Sequence, residues 1–295
     1  MASLRPPVFF PLLLSVLLLA ANPGCLAQDS RPASTLPATA APDGEPTRGS
    51  LTAALSYGSN SAFFGRTQTT AFPYLSTELT YTAKTGFWGS VLAYDLLNTA
   101  TLIDETDLSA GWDGDLTDKF DASLSYSRFF FAPNSPLVKS SVNNSLDAYL
   151  GYDLGVVYTR LNAAYLFGSS SQDFFLILDN SRYFSIDKVF TDKGYLTIEP
   201  RLSLTAGTQY FAETSALQQI QRGNKGKGKG SAGGTATTSS SRFSLLSYEL
   251  RLPLTYHLGK VAAEAAYRYL QPVNVLPEDD SAGRSYFTGS LFVTF

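Results

Sequence analysis

The sequence predicts an all-β chain, an antiparallel up-and-down transmembrane β-barrel of about twelve strands. Three observations predict it. From Leu51 to Phe295 apolar residues recur with a period of two, in runs separated by clusters of Gly, Asn, Asp and Ser. The connections between those runs alternate between tight and long. The chain is also rich in aromatics, with 17 Tyr and 20 Phe, yet its mean hydropathy is −0.02. Lipid-facing and lumen-facing residues cancel in this way in any window average.

The N-terminal residues 1–27 have the order of a secretory signal. Arg5 is the positive start, Val8 to Ala21 is the apolar stretch, and Cys25-Leu26-Ala27 places small residues before Gln28. Pro11 interrupts the apolar stretch, which is short for a spanning helix of about 20 residues. Cys25 is the only cysteine. It has two readings, removal with the signal or lipidation, and neither leaves a thiol for metal or redox chemistry. Residues 28–49 are Pro, Ala, Thr and Ser with scattered charge, a composition that cannot bury a core and reads as a disordered periplasmic leader. Residues 50–295 are the predicted barrel.

In order, the predicted strands are 50–58, 74–83, 87–97, 102–113, 119–130, 142–153, 155–167, 173–190, 194–211, 243–257, 260–270 and 284–295. Strands two and three meet at Lys84-Thr85-Gly86, four and five at Asp115 to Asp118, and six and seven at Asp153 to Gly155. Eight and nine meet at Asp192 to Gly194, ten and eleven at His257 to Lys260. Ser59–Pro73, Phe131–Ser141, Gly168–Gln172, Ala212–Arg242 and Gln271–Gly283 are longer, and only the link near Asn98–Thr101 is short on that side. Tight turns at one end and long loops at the other belong to an up-and-down barrel and not to a Greek-key sandwich. The same alternation puts the N-terminus and Phe295 at the tight-turn end.

Strand ten shows the two faces most clearly. Leu246, Tyr248, Leu250, Leu252, Leu254 and Tyr256 share one face; Ser247, Glu249, Arg251, Pro253, Thr255 and His257 share the other. A leucine row with tyrosines towards its ends suits lipid and its two interfaces. By the same pattern Val261, Ala263, Ala265, Tyr267 and Tyr269 point outward from strand eleven, and Leu196, Ile198, Leu202 and Leu204 from strand nine. Trp88 and Trp112 are expected on outward rows near tight turns. A water-soluble barrel with an oily interior would need the same alternation inverted.

The last strand, Arg284 to Phe295, resembles the C-terminal strand of Gram-negative outer-membrane β-barrels. Phe287, Leu291, Val293 and the terminal Phe295 stand where that family carries its membrane-insertion signal. The resemblance implies a multi-pass protein of the cell outer membrane with periplasmic termini. It also implies outer-membrane lipid as surroundings, and recognition of the last strand by the barrel-assembly machinery.

With lipid outside, Glu199, Arg201, Glu249, Arg251, Glu264 and Arg268 project into the lumen. Asp147 and Arg160 offer a further pair, and Glu78, Asp95, Asp107 and Asp121 an acidic wall. The function expected is a narrow passive channel for small polar or charged solutes. The alternative is a closed structural or adhesion barrel whose external loops bind a partner. No catalytic constellation is expected: His257, the single histidine, sits beside a tight turn. No cofactor and no metal site are expected either, and Asp104, Glu105 and Asp107 read as solvated loop charge. The net charge of −3 argues against a nucleic-acid partner. Lys225, Lys227 and Lys229 make the Arg222–Ser241 loop flexible and cationic.

Overall fold

A computed structural model describes residues 49–67, 72–97, 99–133, 142–168, 172–210, 243–276 and 279–295. The expected signal, the leader apart from Gly49, and the Arg222–Ser241 loop lie outside the described residues. No helix among the described residues is long and apolar enough to cross a membrane.

The twelve predicted strands are present in the predicted order and close into one antiparallel barrel. They are β1 Ser50–Gly58, β2 Tyr74–Thr82, β3 Phe87–Leu96, β4 Glu105–Asp115, β5 Phe120–Phe131, β6 Asn144–Asp153 and β7 Tyr158–Phe167. Two staves follow in two pieces each: β8 is Gln172–Ser181 then Phe184–Asp187, and β9 is Gly194–Ile198 then Arg201–Gly207. β10 is Ser244–Leu258, β11 Val261–Pro272 and β12 Arg284–Thr294. Each strand pairs with its sequence neighbours, and β12 closes on β1 with Leu55 opposite Leu291. Pro200 has no amide hydrogen to give the ladder, so β9 breaks at Glu199–Pro200 where continuous strand was expected.

The exterior carries the apolar residues. Leu55, Leu79, Val91, Leu108, Leu124 and Leu161 are each 45% or more exposed, and Leu252, Leu254 and Leu291 join them. Their strand neighbours at i±1 turn inward. A contiguous apolar belt of this extent is a surface for hydrocarbon, not for water. The lipid-outside orientation is therefore the one adopted, and the soluble, inverted barrel is excluded.

Three details depart from strict alternation as read from the sequence. Leu246 faces inward and is fully buried, because the ladder between β9 and β10 slips one residue between Thr205 and Ala206. The bulge puts Leu246 and Ser247 on the same side. Trp88 also faces inward: its register partner on β4 is Gly111, and a Cβ built there would lie 2.8 Å from the indole. The missing side chain makes room for the ring. Trp112 stays on the outward row, its Nε1 donating to Thr85 O at 3.0 Å. Asp95 faces outward, opposite Leu75, while its neighbour Tyr94 stacks inside on Tyr74 at 4.6 Å.

Candidate functional site

The lumen has two unlike walls. On β7 to β12 arginines and carboxylates interleave and pair. Arg251 bonds Glu264 at 2.6 Å, Arg160 bonds Asp179 at 2.8 Å, and Arg201 reaches Glu199 on its own strand at 3.1 Å. Arg268 holds Glu249 through Nε at 2.7 Å and through a guanidinium nitrogen, and lies 5.1 Å from the Tyr286 ring centroid. Arg201, Arg251 and Arg268 are direct register partners across three strands, so the three glutamates offset three like charges placed side by side. Between the ion pairs Ala262, Ala266, Leu270, Tyr286 and Phe292 are buried. This wall is packed and close to neutral.

The opposite wall, β2 to β6, is lined by serines and acids. Ser90, Ser109, Ser123, Ser125 and Ser127 face inward yet remain partly reached by solvent. Ser109 and Ser127 share a hydrogen bond of 2.8 Å across the ladder. Serine leaves space where arginine, tyrosine and leucine fill it, and a barrel of this size is wide enough for the difference to matter. Glu78, Glu105, Asp107, Asp113, Asp121 and Asp147 face the same space. Among the described residues no lysine or arginine of β1 to β6 faces inward: Arg128 points out, and Lys84 and Lys119 sit in turns.

Asp147 does not meet Arg160. Their strands pair with Asp147 opposite Ala164 and Arg160 opposite Gly151; Ser145 Oγ donates to Asp147 at 2.5 Å, and Arg160 goes to Asp179 instead. Asp104 and Glu105 are not solvated loop charge, since both are buried. Asp104 Oδ2 accepts from Leu96 N at 2.9 Å and Thr99 Oγ1 at 3.0 Å, fixing the short β3–β4 link. His257 faces inward, stacked 4.4 Å from Tyr195 and 3.1 Å from Thr197 Oγ1.

The long-loop end holds an arrangement the strand pattern could not reveal. Within the β1–β2 connection, Ala62–Phe63 and Arg66–Thr67 form a small hairpin. Its turn residues Phe64 and Gly65 both have positive φ, 42° and 82°, the geometry of a tight two-residue turn. A Cβ on Gly65 would come within 2.3 Å of Ser247 Oγ, so the hairpin is pressed against β10. Phe64 stacks on Phe175 at 4.0 Å, and Phe63 and Phe64 pack on the inward cluster Val142, Ala164, Leu166, Phe175 and Leu246. β1 lies opposite β7 in the ring. The hairpin therefore reaches across the mouth and packs on its β6–β10 side.

Arg66 locks it there. Its side chain is 1% exposed and pairs with Asp279 at 3.2 Å. It donates to Gln209 Oε1 at 2.6 Å, Leu246 O at 2.8 Å, Val273 O at 3.1 Å and Asn274 O at 3.2 Å. Burial lowers its pKa, opposed by Asp279. Thr67 adds hydrogen bonds to Ser281 and Ala282. Only the apolar Phe63-Phe64 pair inside a polar loop hints at this in the sequence.

The exterior row at the C-terminus comprises Phe287, Leu291 and Phe295, all exposed, with Val293 partly so.

No family model matches the chain, and no curated protein matches it. Solved outer-membrane barrels are similar in fold. The KdgM porin has a TM-score of 0.47 at 9% identity, over 83% of this chain and 99% of its own. An outer membrane channel from Pseudomonas putida F1 has a TM-score of 0.45 at 13% identity, over 84% and 96%. LpxR from Salmonella typhimurium has a TM-score of 0.45 at 11% identity, over 83% and 100%. All three TM-scores fall below 0.5, so the barrel rests on this chain's own strand pairing.

Proposed function

We propose that the chain is an outer-membrane channel with its termini in the periplasm, passing small polar solutes along the β2–β6 wall with a preference for cations. One observation carries this reading. Inward serines reached by solvent stand beside Asp113, Asp121 and Asp147, whereas across the lumen each described acid–arginine pair cancels. Fixed carboxylates in a confined, partly desolvated passage raise the local cation concentration. Phe287, Leu291, Val293 and Phe295 are the residues an assembly machinery would read on the last strand.

The Arg66-locked hairpin favours a second reading, a closed barrel whose loops carry its role. Planar-bilayer recording of the purified full chain separates the two. Stepwise conductance from the wild-type protein is expected; a barrel that folds and inserts but stays silent, with and without Arg66, would leave the closed reading.

A further inference from the structure

The membrane-facing exterior contains a cation that neither hydrocarbon nor the lumen accounts for. Arg128 stands on the outward row of β5 with Leu124, Tyr126 and Phe130, opposite Leu108 on β4. Among the described residues no acidic side chain forms an ion pair with it. A guanidinium facing hydrocarbon is costly at the bilayer midplane, and that cost falls away towards the interface. From Phe120 at the tight-turn end, the tilted strand climbs roughly 20 Å to Arg128. That brings the guanidinium near the upper edge of an apolar band about 25 Å tall, where lipid headgroups begin.

Its surroundings hold it in place. Asn144 Oδ1 accepts from Arg128 Nη1 at 2.7 Å and from Tyr126 Oη at 2.7 Å. The Asn144 amide nitrogen donates to Phe167 O at 3.1 Å and Asn143 Oδ1 at 2.8 Å, so the acceptor is itself fixed. Phe130 lies under the guanidinium at 5.7 Å. One nitrogen is thus anchored by a neutral amide, while among the described residues the charge itself has no counter-ion. A planar guanidinium in that state suits a phosphate oxyanion. The apolar residues around it suit acyl chains rather than a free ion.

We propose that Arg128, set by Tyr126 and Asn144, binds the phosphate of an anionic lipid in the leaflet at the long-loop end. The proposal rests on the membrane-barrel reading. The test uses the full chain in phosphocholine micelles and native mass spectrometry with bisphosphorylated lipid A, its dephosphorylated form, and inorganic phosphate. The wild-type chain is expected to bind the phosphorylated lipid about tenfold tighter than the dephosphorylated one, about 1.4 kcal/mol. Arg128→Ala should remove that difference and Arg128→Lys should retain part of it. Equal binding of the two lipids, a difference that survives Arg128→Ala, or displacement by inorganic phosphate alone would overturn it. A chain that runs identically heated and unheated on a detergent gel would overturn the barrel and the site together; a heat-shifted chain with equal lipid binding overturns the site only.

Discussion

Arg66→Ala is expected to raise single-channel conductance severalfold. The guanidinium ties one short hairpin to Asp279, Gln209 and the backbone carbonyls of Leu246, Val273 and Asn274. Removing it leaves Asp279 and Gln209 without their buried donor. Breaking a buried pair by deleting one partner costs about 3 kcal/mol, roughly two decades in the ratio of docked to released hairpin. The barrel ladder does not depend on Arg66, so the heat-shifted band on a detergent gel should persist. Arg66→Lys is a graded control: an ammonium keeps the charge but cannot span the same fork of acceptors, so its conductance should fall between wild type and Arg66→Ala. Unchanged conductance in Arg66→Ala would mean that the hairpin does not limit the passage.

The second large effect concerns selectivity. Replacing Asp113, Asp121 and Asp147 together by Asn should abolish the cation preference while leaving the open channel nearly as conductive. In a tenfold salt gradient an ideal cation channel reverses at about 59 mV. The wild-type potential should lie on the cation side of zero and the triple variant close to zero. The preference should also fade with salt, because the screening length shrinks from about 30 Å at 0.01 M to about 3 Å at 1 M. Glu249→Gln should act differently. It leaves the Arg268 guanidinium without its carboxylate beside Arg251, and shifts the potential towards anions. An anion preference in wild type would contradict the charge asymmetry of the two walls.

The barrel was legible because its signal is repeated. Alternation in ten or more strands, with turns that alternate in length, leaves one closed topology that fits, and strand boundaries such as 50–58 and 284–295 follow from it directly. What escaped was whatever depends on how one strand meets another. The inward Trp88 is decided by Gly111 on the next strand. The inward Leu246 is decided by a bulge against Thr205 and Ala206, which shifts parity without any mark in β10 itself. Arg160 pairs with Asp179 and not Asp147 because register, not proximity in the chain, sets cross-strand neighbours. Arg66 was invisible for a further reason. Its loop has no periodicity, and its partners come from the β9, β10 and β11 ends, none of which pairs with β1 or β2.

Most of the charged residues named from the sequence do not stand where solvent reaches furthest. Glu249, Arg251, Glu264 and Arg268 form a braced, mostly filled wall. The space reached by solvent lies beside residues of low chemical profile, Ser90, Ser109 and Ser125, whose importance is their small size. Periodicity reports which face a side chain takes, but not how much room it leaves.

The path along that serine wall is the claim on which the channel rests, and thiol accessibility tests it most directly. Cys25 is the only cysteine in the sequence, so a single introduced thiol in the barrel gives a clean readout. Ser109→Cys and Ser125→Cys, reconstituted in lipid, should react with a hydrophilic cationic methanethiosulfonate faster than with an anionic one, and lose current as they do. Ala266→Cys, on the packed wall, should stay unmodified. Serine-wall thiols that resist both reagents in a folded, inserted barrel would contradict a water-filled passage there.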